Sequence, residues 1–183
     1  MDAKQIKSIS KFLSLVLRHK PEAASVTMDK SGWVDVKALL AGCKNARKEG
    51  VTLEQLEEVV ATNDKKRFEF SEDGKRIRAS QGHSVEVDLA YEPATPPAVL
   101  YHGTAGRNLN SIFADGLVKG KRHHVHLSVE TETAKKVGAR YGKPVILVIE
   151  AERMHADGME FFVSTNNVWL TDRVPTDYLS IQE

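Results

Sequence analysis

The segment Tyr91-Glu92-Pro93-Ala94-Thr95-Pro96-Pro97 holds three of the chain's six prolines in seven residues. Proline has no backbone donor, fixes its own φ and pushes the residue before it out of the helical region, so neither a helix nor a central strand is expected to run through this stretch. The segment therefore predicts a connector: one lobe over 1–90, a linker over 91–98 and a second lobe over 99–183. A chain of 183 residues is long enough for one large core or two small ones, and the prolines favour two.

In the first lobe, Ile6, Ile9, Leu13 and Val16 recur at helical spacing over residues 4–17, and Asp2 with Gln5 three positions on forms a capping-box pattern. The helix must end near His19, because Lys20 precedes Pro21. Asp29-Lys30-Ser31-Gly32 is turn chemistry, Trp33-Val34 suits a short extended piece, and Val36 to Leu40 reads as a second short helix. Thr52 with Gln55 caps a third helix that carries Leu56, Val59 and Val60 inward. Arg67 to Phe70 and Lys75 to Arg78 alternate about the turn Glu72-Asp73-Gly74, which spells a hairpin. Helices followed by a hairpin predict a small winged-helix lobe, with Ser80 to Ser84 starting its exit.

The second lobe alternates strand and helix signals. Val99 to His102 reads as a strand, Leu109 to Phe113 as a short helix ending at Gly116, Val125 to Leu127 as a strand, and Thr131 to Arg140 as a helix ending at Gly142. Val145 to Ile149 is the most apolar run and predicts a buried central strand. Phe161 to Val163 and Val168 to Leu170 flank the turn Ser164 to Asn167 as a further hairpin. The expected class is α+β, without internal repeats.

The 26 basic and 25 acidic side chains nearly cancel, and residues 1–90 hold 16 and 14 of them. A polyanion would therefore be held by local clusters: Arg18-His19-Lys20, Lys44 to Lys48, Lys65-Lys66-Arg67, Lys75 to Arg78, and Lys119 to Arg122. No apolar run approaches the roughly 20 residues of a membrane span, and the first residues lack the apolar core of a signal peptide. The single cysteine, Cys43, excludes an internal disulfide and reads as a half-buried residue at a helix end. The expectation is a cytoplasmic protein.

His102-Gly103-Thr104 offers an imidazole, a backbone that can approach a ligand, and a hydroxyl, which suits the ribose and amide of a nucleotide. It is also the pattern of a satisfied histidine at a strand-to-loop turn. The run His123-His124-Val125-His126 has no carboxylate, cysteine pair or His-Glu-x-x-His company, so no metal is expected. Arg18-His19, Arg67 and Arg122 form a candidate anion clamp, since guanidinium binds phosphate through two parallel bonds at any relevant pH. Spacing leaves open whether they converge, and each alone reads as a solvated surface charge. No phosphate-binding glycine loop and no Gly-x-Ser-x-Gly elbow occurs.

Seven segments in order, Leu17 to Pro21, Gly32-Trp33-Val34, Asn63 to Phe68, Gly82-His83-Ser84, Leu100 to Thr104, Arg122 to Ser128 and Val168 to Thr171, resemble the NAD-dependent RNA 2′-phosphotransferase family, best known for tRNA splicing. The resemblance implies an N-terminal winged-helix lobe for RNA and a C-terminal ADP-ribosyltransferase-like lobe for NAD. It implies removal of an internal 2′-phosphate through RNA-2′-phospho-ADP-ribose, giving RNA with a free 2′-hydroxyl, nicotinamide and ADP-ribose 1″,2″-cyclic phosphate. By matching motif, Arg18, His19, Arg67 and Arg122 correspond to the catalytic set. His102, Gly103, Thr104, Asn108, His126 and Ser128 fall in the NAD site, and Arg18, Lys20, Lys65, Lys66 and Arg76 face RNA. Val168 stands where many ADP-ribosyltransferases carry a carboxylate, which favours a substrate bringing its own nucleophile. The implied protein is a metal-independent monomer with no membrane partner. Two other readings are ADP-ribosyl transfer to nucleic-acid ends or small acceptors, and a non-enzymatic winged-helix RNA-binding regulator.

Overall fold

Asp2 caps the first helix, α1 (Ala3–Arg18): its carboxylate accepts the Gln5 N–H at 2.7 Å, and the Gln5 side chain accepts the Asp2 N–H at 3.1 Å. Two of the four donors that a helix start leaves unpaired are thereby satisfied. The computed structural model to which this helix belongs describes residues 1–46 and 50–182, and the chain divides into two units, Met1–Ala90 and Tyr91–Glu183.

In the first unit, α1 turns Ile9, Leu13, Val16 and Leu17 inward and stops where the backbone before Pro21 leaves the helical region. α2 (Val36–Ala46) runs six residues past Leu40, where the sequence reading ended it. Leu39, Gly42 and Cys43 extend its inward stripe, so Cys43 is fully buried inside the helix rather than half-buried at its end. Gly42 permits this packing, since a Cβ there would lie 1.9 Å from the Ala24 carbonyl oxygen. Arg47 and Lys48, from the Lys44 to Lys48 cluster, lie outside the described residues. α3 (Leu53–Ala61) begins with a second capping box, Thr52 and Gln55.

Strands β1 (Val34–Asp35), β2 (Phe68–Phe70) and β3 (Arg76–Ala79) pair antiparallel in the order β1-β3-β2. Ile77 of the central strand joins Leu13, Leu17, Leu39 and Leu56 in the core. The chain does not leave the unit at Ser80 to Ser84 as expected. Ser80 and His83 are buried, the Ser84 N–H donates to the Arg18 carbonyl at 2.8 Å, and the Asp88 N–H reaches the Lys30 carbonyl at 2.6 Å. The nine residues Ser80 to Asp88 thus stay on the unit because backbone donors among them find acceptors at Arg67, at Arg18 in the last turn of α1 and at Lys30.

The second unit holds β4 (Leu100–Ala105), α4 (Leu109–Asp115), β5 (Leu117–Val118), β6 (Val125–Leu127), α5 (Thr131–Gly138), β7 (Pro144–Ile149), α6 (Ala151–Ala156), β8 (Phe161–Val163), β9 (Trp169–Thr171), β10 (Arg173–Val174) and β11 (Leu179–Ile181). Its sheets are small and antiparallel, β11-β7-β4, β6-β9-β8 and β10-β5. β7 is central, with Leu147 and Ile149 fully buried and Val145, Ile146 and Val148 half-buried. Tyr101 and Ser128 exchange backbone bonds of 2.8 and 2.9 Å, which ties the free edge of β4 to the end of β6. The stretch read as a linker lies along β8: Pro93 bridges Phe162, and the Ala94 N–H donates to the Phe161 carbonyl at 2.7 Å. Among the described residues no helix is long and apolar enough to cross a membrane.

Candidate active site

β4 continues three residues beyond His102, so His102-Gly103-Thr104 sits inside a strand, opposite Leu147, Ile146 and Val145 of β7, and not at a strand-to-loop turn. Alternation then sorts the three residues. Gly103 faces α5, where a Cβ would lie 1.6 Å from the Ala134 carbonyl oxygen, so this glycine is required by helix packing rather than by approach of a ligand to its side-chain position. His102 and Thr104 project to the opposite face. Because Tyr101 directs its peptide groups to Ser128, the Gly103 N–H and C=O point to that same edge of β4, away from β7.

Each side chain on this face is held in one protonation pattern. The half-buried His102 bonds through Nδ1 to the His126 carbonyl at 2.9 Å; a carbonyl only accepts, so Nδ1 carries the proton and Nε2 a lone pair. Burial pushes the His102 pKa down, aided by the Arg122 charge and opposed by the bond to His126. The exposed Arg122 donates from Nη1 to His126 Nδ1 at 3.2 Å, which requires a neutral His126 with its proton on Nε2. Thr104 is buried, and its Oγ1 accepts from Asn108 Nδ2 at 3.1 Å, so its own O–H is left to donate elsewhere. Ser128 spends its hydroxyl on the Glu130 backbone at the start of α5, accepting the N–H and donating to the C=O, both at 3.1 Å.

The lowered His102 pKa makes a pH prediction. The unfolded chain binds a proton near pH 6.5, whereas folded His102 resists it, so stability should be full above that pH and fall as the pH drops from there toward the lower folded value. His124 adds to the same trend: burial, then the His123 and Lys119 charges, lower its pKa. Urea unfolding from pH 7.5 to 5 should show a falling midpoint, with a shallower slope for His102→Asn, which keeps a donor to His126 but cannot titrate.

In the first unit, Arg18 ends α1 and His19 caps it. The Arg18 carbonyl accepts N–H bonds from Ser84 (2.8 Å) and Val85 (3.4 Å), and His19 Nδ1 lies 2.8 Å from Ser84 Oγ. Arg67 is half-buried, its N–H donating to Asn63 Oδ1 at 3.3 Å and its carbonyl accepting the Ser80 N–H at 2.9 Å. The Ser80 hydroxyl donates to the carbonyl of Lys66, a residue at φ +40. One segment, Ser80 to Val85, is therefore bonded to both Arg67 and Arg18-His19. Lys20, Lys65 and Lys66 are exposed beside these anchors. Arg76 is elsewhere: it sits near the hairpin turn, roughly 13 Å along β3 from Ser80, paired with Asp29 at 3.6 Å and stacked over Trp33.

Asn63 and Ser84 lie in segments that carry the family resemblance, but neither they nor Ser80 were assigned a site role from the sequence, because each meets its partner through the fold. Among the described residues no three histidine, cysteine, aspartate or glutamate side chains gather as a metal site.

These features define a two-unit α+β protein with an Arg-His pair on one unit and a histidine-rich strand face on the other. Residues 4–173 match the family model described as RNA 2'-phosphotransferase, Tpt1 / KptA family. Curated relatives called "Probable RNA 2'-phosphotransferase" include one from Pseudomonas aeruginosa, 56% identical over 98% of both chains. Another from Hahella chejuensis is 55% identical over 97% of this chain and 95% of its own, and one from Rhodopirellula baltica is 56% identical over 97% and 96%. The chain belongs to the Tpt1/KptA family of RNA 2′-phosphotransferases.

Proposed function

We propose that this protein removes an internal 2′-phosphate from RNA by transferring it to NAD, which is consumed as co-substrate. The observation that carries the reading is family membership over nearly the whole chain. In this reading the first unit is a winged-helix RNA lobe, its β2–β3 hairpin the wing, and the second an ADP-ribosyltransferase-like NAD lobe. Residues 91–98 join them, and the protein works as a cytoplasmic monomer.

The donor set on β4 suits NAD. His102 and Thr104 on one face can meet ribose hydroxyls, and the Gly103 peptide groups at the strand edge match the donor and acceptor of a carboxamide. Asn108 serves by orienting Thr104, while His126 orients both His102 and Arg122. The 2′-phosphate attacks the anomeric carbon of the nicotinamide ribose and nicotinamide departs, leaving RNA-2′-phospho-ADP-ribose. The nucleophile is already an anion, so positioning matters more than a general base. The ribose 2″-hydroxyl then attacks phosphorus, its proton leaves, and the RNA 2′-oxygen departs and takes one up. His19 is the member of the Arg18, His19, Arg67 and Arg122 set able to exchange that proton near neutrality, and the arginines stabilise charge on the transferring oxygens. Lys20, Lys65, Lys66 and Arg76 meet the RNA backbone without reading sequence.

Incubation with NAD and an oligonucleotide carrying one internal 2′-phosphate, in the presence of a chelator, tests the reading. Mass spectrometry should find nicotinamide, 2′-hydroxyl RNA and ADP-ribose 1″,2″-cyclic phosphate. An ADP-ribosylated RNA as end product would turn the reading toward ADP-ribosyl transfer, and activity lost in chelator and restored by a divalent ion would overturn the metal-free chemistry.

A further inference from the structure

His19 occupies the C-cap of α1, with φ −130 and ψ −42, outside the helix and on an exposed corner of the first unit. An exposed imidazole at a helix end is free to swing about two side-chain torsions unless something holds it. Among the described residues Ser84 does so. Ser84 Oγ lies 2.8 Å from His19 Nδ1 across a separation of 65 residues. Ser84 is itself fixed independently of its side chain, because its N–H donates to the Arg18 carbonyl at 2.8 Å and the next N–H, of Val85, reaches the same oxygen at 3.4 Å. Two neighbouring backbone donors on one carbonyl give the hydroxyl a defined place beside the ring.

We propose that Ser84 is a positioning residue for His19: its hydroxyl, able to donate to Nδ1 or accept from it, holds the imidazole by that nitrogen and fixes the ring rotamer so that proton exchange runs through Nε2. The proposal rests on the phosphotransferase reading for its consequence in turnover, but not for its geometry. A ring held by one nitrogen presents the other in a single orientation, and a hydroxyl partner can keep that hold whether Nδ1 carries the proton or the lone pair. Arg18 shares the device, since the two N–H bonds that place Ser84 also fix the peptide between Arg18 and His19. The Ser80 to Val85 segment, which continues the chain from the Arg67 side, thereby sets guanidinium and imidazole in one frame.

Removing the hydroxyl leaves the backbone bonds intact, so Ser84→Ala should fold as the parent does. Its kcat for 2′-phosphate removal should fall roughly tenfold to a hundredfold, less than the loss of a proton-transfer group itself, which costs up to about 10⁴. KM for the oligonucleotide should stay within about twofold, because the phosphate contacts are untouched. Ser84→Thr, which restores a hydroxyl at an exposed position with room for a methyl group, should recover most of the rate. A second readout needs no turnover: long-range ¹H–¹⁵N correlation spectra of ¹⁵N-histidine protein should show the His19 Nδ1 resonance displaced in Ser84→Ala, where its hydrogen bond is lost, and parent-like in Ser84→Thr. Equal kcat in Ser84→Ala and parent, or an unmoved His19 Nδ1 resonance, would overturn the proposal. A parent protein that fails to turn over sinks the phosphotransferase reading instead, and the Nδ1 comparison still decides whether Ser84 holds the ring.

Discussion

Arg67→Ala and Arg122→Ala are each expected to slow phosphoryl transfer a hundredfold to a thousandfold, and RNA-2′-phospho-ADP-ribose should accumulate. In the proposed mechanism the first step uses a nucleophile that is already charged, and its reacting centre becomes cationic, so an arginine stabilises little there. In the second step negative charge builds on the phosphoryl oxygens, and the loss of one positioned donor costs about 3–4 kcal/mol. Each arginine is anchored in the fold: the Arg67 backbone by Asn63 and Ser80, the Arg122 guanidinium by His126. The intermediate should appear on denaturing gels as a slower band that persists for hours, while Arg140→Ala, at an exposed position after α5, serves as the unaffected control. Equal loss of both steps, with no intermediate, would assign these arginines to substrate binding.

Gly103→Ala should destabilise the second unit by more than about 3 kcal/mol. Ordinary overpacking costs roughly 1–3 kcal/mol because side chains can rotate away. Here the added carbon would meet backbone, 1.6 Å from the Ala134 oxygen, 2.5 Å from its carbon and 2.9 Å from the Gly138 nitrogen. Relief requires lifting α5 from β4, and the loss is a large share of the 5–15 kcal/mol that typically separates folded from unfolded chains. Gly106→Ala is the matched control, since its Cβ would meet only a Val145 methyl at 3.9 Å. Urea unfolding decides between two roles for Gly103: packing predicts a large fall in midpoint, whereas a glycine needed only for ligand approach predicts normal stability with lost NAD binding.

Local order was legible wherever a short-range rule governs it. The capping boxes at Asp2 and Thr52, the stop before Pro21, the hairpin about Gly74 and the central strand at Val145 to Ile149 each depend on residues within a few positions of one another. α2 outran its expected end because Gly42 lets the helix pack closely on Ala24 and Cys43 is buried in the same core, neighbours supplied by the fold. The same cause hid the true setting of His102-Gly103-Thr104. Its letters announced a site, but only the pairing with β7 and the seat of α5 decided which face carries the imidazole and why the glycine is there. Resemblance to a family pointed to Arg18, His19, Arg67 and Arg122 as the proposed catalytic set. It could not supply the hydrogen bonds that orient them, such as His19 to Ser84 across 65 residues and His102 to His126 across 24. Periodicity and capping act along the chain over one or two turns, whereas a tautomer is set by whichever donor or acceptor the folded backbone brings within 3 Å, and that distance exists only in the tertiary structure.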